Sequence, residues 1–337
     1  MNYFITGGTG FIGTHLSSLL HEVHPETRIY NLDIVEPGTP LPTVKNYKPA
    51  LGKGEEHAAT FIYCDVRQPI ELEKVNITPD DVIFNFAAVH RTPGHPDPAY
   101  FETNIRGAEN VCAFAERHGI RKIVFTSSIA PYGAAEELKE ETTLPMPNTP
   151  YGISKLVAEK IHQTWQAGGE GRQLTIVRPG VVFGRGENGN FTRLYWGIRG
   201  HKFMYPGRKD TIKACIYVKE LVRFMLYRLE HHDSGVELYN CCYEPAYTIE
   251  HIVESMKRVT NMKVKVPFMP GWLIMTAAGI AGALGSPMGI CPARVRKLQI
   301  STNICGKKLS ASGYRFHYTF EEALADWYKD NGNLYLR

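Results

Sequence analysis

The sequence predicts an α/β protein built on a doubly wound parallel sheet, with a smaller C-terminal part packed against it. Three observations carry this expectation. Short apolar runs rich in Val, Ile and Phe alternate with helical patterns through the first half of the chain, a glycine-rich turn joins the first run to the first helix, and beyond Gly180 the pattern loosens into shorter elements. Strand-like runs separated by a helix's length of chain imply right-handed βαβ crossovers, and hence parallel pairing.

Taken in order, strands are expected at Tyr3–Thr6, Arg28–Asp33, Thr60–Cys64, Val82–Phe86, Lys122–Ser127 and Leu174–Pro179, with helices at Phe11–Glu22, Pro98–His118 and Tyr151–Gln166. Between Val35 and Ala59 lie four prolines and three glycines, which reads as an irregular, mobile excursion between two strands. Further on, helices are expected at Phe191–Arg199, Lys219–His232, Ile249–Asn261 and Thr319–Tyr328, with a short strand at Val236–Asn240.

Composition removes several classes of function. Lys and Arg number 38 and Asp and Glu 34, a net +4 with no long basic run, so nucleic acid is not an expected partner. Seven scattered cysteines form no C-x-x-C pair, as where thiols stay reduced, and glycines follow Met1–Thr6 too soon for a secretory leader. A cytoplasmic protein is expected. The apolar run Trp272–Leu284 would span about 20 Å as a helix against a hydrocarbon core of roughly 30 Å. It therefore reads as a buried or dimer-facing helix, with peripheral membrane contact as the second reading and no transmembrane span.

The first strand runs into Gly7-Gly8-Thr9-Gly10-Phe11-Ile12-Gly13, which satisfies G-x-G-x-x-G at Gly8, Gly10 and Gly13. Such glycines let backbone N–H groups approach a pyrophosphate at the N-terminus of the following helix. Asp33 closes the second strand, where a carboxylate accepts both ribose hydroxyls and repels a 2′-phosphate. The expected cofactor is NAD. Tyr151 and Lys155 stand four residues apart at the start of a helix and so share a face. A phenol has a pKa near ~10, but a neighbouring ammonium and an oxidised nicotinamide favour its phenolate, which then exchanges a proton with a substrate hydroxyl. Ser128, just past the fifth strand, can hydrogen-bond the reacting oxygen.

The glycine loop, Asp33, Asp65-Val66, Phe86-Ala87-Ala88, the segment Ser127–Gly133, Tyr151-x-x-x-Lys155 and Arg178-Pro179-Gly180 occur in the order seen in extended short-chain dehydrogenases. The chain resembles their nucleotide-sugar epimerase/dehydratase family over nearly its whole length. The resemblance implies a Rossmann domain at residues 1–180 carrying cofactor and catalytic residues, and a mainly substrate-binding part at 181–337 that can interleave with the sheet. By it, Asp65 and Val66 border the adenine, Ala87 and Ala88 the middle of the cofactor, and Pro179 the nicotinamide. Ordinary strand packing is the plain alternative for Val66 and the alanines.

By the same resemblance, dehydratases follow the catalytic hydroxyl with an Asp-Glu pair, whereas Ile129 and Ala130 stand here. Chemistry needing only Ser, Tyr, Lys and NAD remains: a 4-epimerase working through a transient ketone, or a dehydrogenase or reductase. Gly186–Phe191, with Asn190 and Phe191, resembles the family's substrate loop, and Lys213 its diphosphate-facing cation. Lys213 and Val181 replace an Arg and an Asn frequent in sugar-nucleotide relatives. The Arg-Pro-Gly triplet also occurs in relatives acting on sterols and flavonoids, so an alcohol or ketone of that kind is the alternative substrate. His90 is read either as a substrate or cofactor contact or as a solvated side chain. His231-His232 lack a third ligand at matching spacing, so no metal is expected. A non-catalytic NAD-binding protein is disfavoured by the intact Ser128, Tyr151 and Lys155. A homodimer through the second and third helices is expected by analogy.

Overall fold

A computed structural model describes residues 1–39, 59–90, 94–233, 235–273, 276 and 299–337. The chain begins β1 (Asn2–Thr6), α1 (Phe11–Val23), β2 (Arg28–Asp33), β3 (Thr60–Tyr63), β4 (Val82–Asn85), α2 (Asp97–Arg117) and β5 (Lys122–Thr126). A 3₁₀ turn at Ala130–Tyr132 precedes β6 (Ala135–Lys139), α3 (Pro150–Ala167), β7 (Gln173–Pro179), β8 (Val181–Phe183) and α4 (Asn190–Arg199). Then come β9 (Tyr205–Pro206), β10 (Ile212–Lys213), β11 (Cys215–Tyr217), α5 (Val218–Glu230), β12 (Val236–Cys241), β13 (Tyr247–Thr248) and α6 (Ile249–Val259). β14 (Phe268–Met269), β15 (Thr302–Ile304) and helices at Lys307–Ala311 and Phe320–Asp330 follow.

Seven strands form the main sheet in the order β12-β7-β5-β4-β1-β2-β3, and every neighbouring pair is parallel. Parallel sheets require cover on both faces, which is why these strands read as continuous apolar runs. Residues alternating along each strand point to opposite cores. One core joins Tyr3, Ile5, Phe84 and Val124 to Leu16 and Leu20 of α1 and Leu221, Phe224 and Met225 of α5. The other joins Phe4, Leu32, Ile83 and Ile123 to Val111 and Phe114 of α2 and Ala158 and Trp165 of α3.

Strand order reverses between β1 and β4, and ligands of such sheets bind at the carboxyl ends of the strands beside that point. Thr6, Asp33, Asn85, Thr126 and Pro179 all end strands on this edge. Beside it sits a four-stranded sheet, β13-β10-β15-β6, which the sequence pattern did not anticipate because three of its strands have only two or three residues and carry no readable period. The expected helices are present with ends shifted by up to two residues. Of the irregular excursion, residues 40–58 lie outside the described residues, as does Trp272–Leu284 beyond Trp272, Leu273 and Thr276. Among the described residues no helix is long and apolar enough to cross a membrane.

Candidate active site

The glycine turn is shaped for close approach. Gly7 has φ +69°, where L side chains are strained, and a Cβ there would lie 2.8 Å from the Ala87 nitrogen. Gly10 precedes α1 with no side-chain cap, so the first amides of the helix, from Phe11, Ile12 and Gly13, face the strand ends as a ready anion site. Asp33 closes the far side of this turn. Its Oδ2 accepts the Thr9 N–H at 3.1 Å, and its Oδ1 accepts those of Ile34 and Val35 at 2.8 and 3.2 Å. Burial pushes its pKa up against the lowering effect of these bonds, and a carboxylate so held still has lone pairs for ligand hydroxyls. A nucleotide fits this cradle: small residues where its phosphates pass, amides aimed at them, and a fixed acid at the ribose end.

Asp65 lies next to Asp33 along the sheet edge, since Cys64 N–H donates to the Asp33 carbonyl at 2.9 Å. Its carboxylate is engaged by the Arg67 guanidinium at 2.6–3.0 Å, a hydrogen-bonded cation that holds its pKa below the usual range. Val66 is buried against Gly107. Ala88 is half-buried, Pro179 is buried at the end of β7, and His90 is exposed.

Thr149 caps α3 by accepting the Gly152 N–H at 3.1 Å, and Pro150 opens its first turn. At Gly152 a Cβ would sit 2.6 Å from the Ala130 carbonyl, so the glycine lets the turn after β5 press onto α3. This contact brings Ser128 to Tyr151. Burial pushes the Tyr151 phenol up to about 12, and its hydrogen bond with the Ser128 side chain opposes the rise. One helical turn along, Lys155 is buried with its Nζ 4.5 Å over the Phe125 ring. Desolvation lowers its pKa to about 7, and the Glu159 carboxylate acts the other way.

Beneath these groups lies a polar floor that sequence reasoning missed. Glu159, 1% exposed, accepts hydrogen bonds from Arg178 Nε at 2.8 Å, Arg178 Nη2 at 2.6 Å and Ser127 Oγ at 2.5 Å. Burial costs the Arg178 guanidinium, but the paired carboxylate more than offsets it and raises its pKa. Arg178 also stacks over Tyr132, whose hydroxyl donates to Asn240 at 2.8 Å. On the other side, the His162 ring packs 4.2 Å from Phe125, bonds the Ala158 carbonyl at 2.7 Å and meets the Asn85 amide at 3.1 Å. Burial lowers its pKa to about 4, so it is neutral there. Asn104 clasps the backbone of Val89 from both sides and donates to Ser154 at 2.9 Å, tying the loop after β4 to α3. The spacing of Lys155, Glu159 and His162 on one helical face was the signal available.

On the C-terminal side the expected residues scatter. Asn190 is exposed at the start of α4 and accepts from Arg193 at 3.0 Å. Phe191 turns its ring into the core, 3% exposed and stacked 4.8 Å from Phe183, so a substrate contact from this residue falls to its backbone. Lys213 ends β10 and donates to the Ile300 carbonyl at 2.6 Å. Desolvation lowers its pKa to about 8, against Glu136. Ile129, between β5 and the 3₁₀ turn, and Ala130, the first residue of that turn, are half-buried.

Comparison with known proteins agrees with this geometry. The sequence model of the "NAD dependent epimerase/dehydratase family" matches residues 3–242. A relative from Escherichia coli O157:H7, N-acetyl-alpha-D-glucosaminyl-diphospho-ditrans,octacis-undecaprenol 4-epimerase, is 31% identical over 96% of this chain and 93% of its own. A 3-beta-hydroxysteroid dehydrogenase from Mycolicibacterium neoaurum is 24% identical over 96% of this chain and 89% of its own. Among solved structures, UDP-N-acetylglucosamine 4-epimerase from Methanobrevibacter ruminantium M1 has the same fold, with TM-score 0.73 at 21% identity and 97% of each chain covered. The chain therefore belongs to the NAD dependent epimerase/dehydratase family, and is an enzyme whose cofactor is NAD.

Proposed function

We propose that the protein is a 4-epimerase of a sugar carried on a diphosphate, as in nucleotide sugars. The observation that carries this reading is the hydrogen-bonded Ser128 and Tyr151 pair above Lys155, with Ile129 and Ala130 where a second proton-transferring pair would stand. Gly7, Gly10, Phe11, Ile12 and Gly13 hold the pyrophosphate of NAD and Asp33 its ribose, with Asp65 and Val66 toward the adenine, Ala87 and Ala88 at the middle and Pro179 at the nicotinamide. NAD supplies a hydride acceptor that can return what it takes. Ser128 hydrogen-bonds the sugar O4, and Tyr151 withdraws its proton as C4 is oxidised. Lys155, one helical turn from the phenol, opposes in its protonated form the rise that burial gives the phenol pKa. The keto-sugar turns within the site, and Tyr151 returns the proton to O4 after reduction on the other face. Lys213, Asn190 and the backbone of Phe191 take the diphosphate side, and His90 borders the sugar.

We assign residues 1–180 to cofactor and chemistry and 181–337 mainly to substrate. A homodimer through α2 and α3 is supported by the exposure of Ile153 on α3, and a cytoplasmic site by six described cysteines that form no disulfide. The test is to incubate the protein with UDP-, GDP- and dTDP-sugars, a polyprenyl-diphosphate sugar, and sterol and flavonoid ketones. Products are chromatographed while nicotinamide absorbance is followed. Isomerised sugar with no net NADH is expected. Stoichiometric NADH would instead make the protein a dehydrogenase.

A further inference from the structure

Three large apolar side chains within six residues of chain are exposed beside the substrate side. Phe268 is 52% exposed, Trp272 72% and Leu273 42%. Their backbone is nonetheless well held. Tyr205 N–H donates to the Pro267 carbonyl and Gly207 N–H to that of Met269, both at 2.9 Å, and Leu273 N–H closes a turn onto Pro270 at 3.1 Å. A rigid base that presents a tryptophan, a phenylalanine and a leucine to solvent is expensive in water unless something covers it.

Charge indicates what covers it. From Ser255 to Phe320 the sequence has ten Lys and Arg and no Asp or Glu; Lys257 and Arg258 pair with Glu254 and Glu321 at its two borders, and the other eight have no acid within the stretch. Lys263 and Lys265 are exposed on the strip leading to Phe268. The cations of the neighbouring β9-β10 connection engage the acids around them: Arg208 holds Asp210 and Glu136 of β6, and Lys209 holds Glu250 of α6. The face is thus apolar with a cationic margin, the combination that partitions into the headgroup region of an anionic bilayer.

We infer that Phe268, Trp272 and Leu273, with Lys263 and Lys265 beside them, seat the protein on an anionic lipid surface, where its diphosphate sugar is carried by a membrane-embedded isoprenoid. The inference rests on the catalytic reading above for its substrate. A short path connects the two: Gln299 packs against Gly207 and Gly271 at the foot of the apolar turn, and the next residue, Ile300, accepts the hydrogen bond from Lys213. A diphosphate held at Lys213 can therefore keep its lipid chain in the bilayer that the aromatic face touches.

Flotation of the full-length protein with vesicles tests this, using phosphatidylcholine alone and phosphatidylcholine mixed with phosphatidylglycerol. The wild type is expected to float with the mixed vesicles and to be released by salt. The Lys263→Gln/Lys265→Gln variant should partition more weakly by about five-fold per lysine. Phe268→Ala/Trp272→Ala/Leu273→Ala should remain in solution yet turn over a water-soluble nucleotide sugar like the wild type, and the single Trp272→Ala should fall between. A wild type that never floats, or a triple variant that floats equally well, overturns the inference. So does a triple variant that merely converts a dimer to a monomer in sedimentation velocity, since a second copy would then cover the face. Vesicle binding that persists while no sugar is isomerised supports the surface and overturns the catalytic reading alone.

Discussion

On the Lys155 side Glu159, Arg178 and Ser127 are buried and bonded to one another, whereas Lys213 ends a two-residue strand and donates to the backbone carbonyl of Ile300. The floor of the cleft is a continuous lattice: Glu159 binds Arg178 and Ser127, Arg178 stacks on Tyr132, and Asn104 fixes the loop that carries Ala87 and Ala88. The C-terminal wall is assembled from short pieces, with Asn190 exposed and Lys213 half-buried. The difference follows from what each must do. Proton and hydride exchange tolerate little misplacement, so the groups that perform them need neighbours that cannot move. Recognition of the carrier tolerates change, and loosely held strands allow it.

Four experiments sharpen or break this contrast. The largest effect is expected at Tyr151, where Phe should lower kcat by about a thousand-fold or more and leave NAD binding within a few-fold, read by steady-state kinetics and cofactor titration. Wild-type turnover in that variant would remove the phenol from the chemistry. Next, Glu159→Ala leaves the Arg178 guanidinium buried without its partner, and chemical denaturation should show a loss of about 3–5 kcal/mol. A loss below ~1 kcal/mol would mean the floor is not a lattice. On the wall, Lys213→Met should raise KM about ten-fold with kcat unchanged, the signature of a group that binds the carrier and not the reacting carbon. A matching fall in kcat would erase the distinction between floor and wall.

The smallest effect concerns stability and pH. In the dinucleotide-free protein Lys155 is held near 7, below its ordinary 10.5, because burial disfavours its charge. Between those values the unfolded chain binds a proton that the folded one does not, so stability rises with pH across that window and is lowest below it. Lys155→Met should therefore raise Tm at pH 7, and the gain should shrink toward pH 10. A lower Tm at pH 7 would show that the amine stabilises the fold.

Legibility in the sequence followed the same division. The glycine turn, Tyr151 and Lys155 are read from spacings within one turn or one helix, and Asp33 from its place at the end of the second strand, all of which local geometry fixes. Glu159, His162 and Asn104 escaped because their partners are distant in sequence: Ser127 follows β5, Asn85 ends β4, and Ser154 lies fifty residues from Asn104. Such pairings exist only once the sheet and α3 have packed. Phe191 shows the converse, since its place in a substrate-loop motif gave no sign that its ring stacks on Phe183. The small sheet around Lys213 was illegible because three of its four strands, at two or three residues, are too short to display a period.

The central claim is that the hydrogen leaving the sugar carbon returns to it as hydride while Tyr151 handles only the hydroxyl proton. Turnover in deuterated water, with the product examined by mass spectrometry and proton NMR, tests this directly. The account expects an inverted C4 centre that still carries its original hydrogen. Solvent deuterium at the inverted carbon would show that the centre is inverted by carbon deprotonation, and would contradict the role given to Tyr151, Ser128 and NAD.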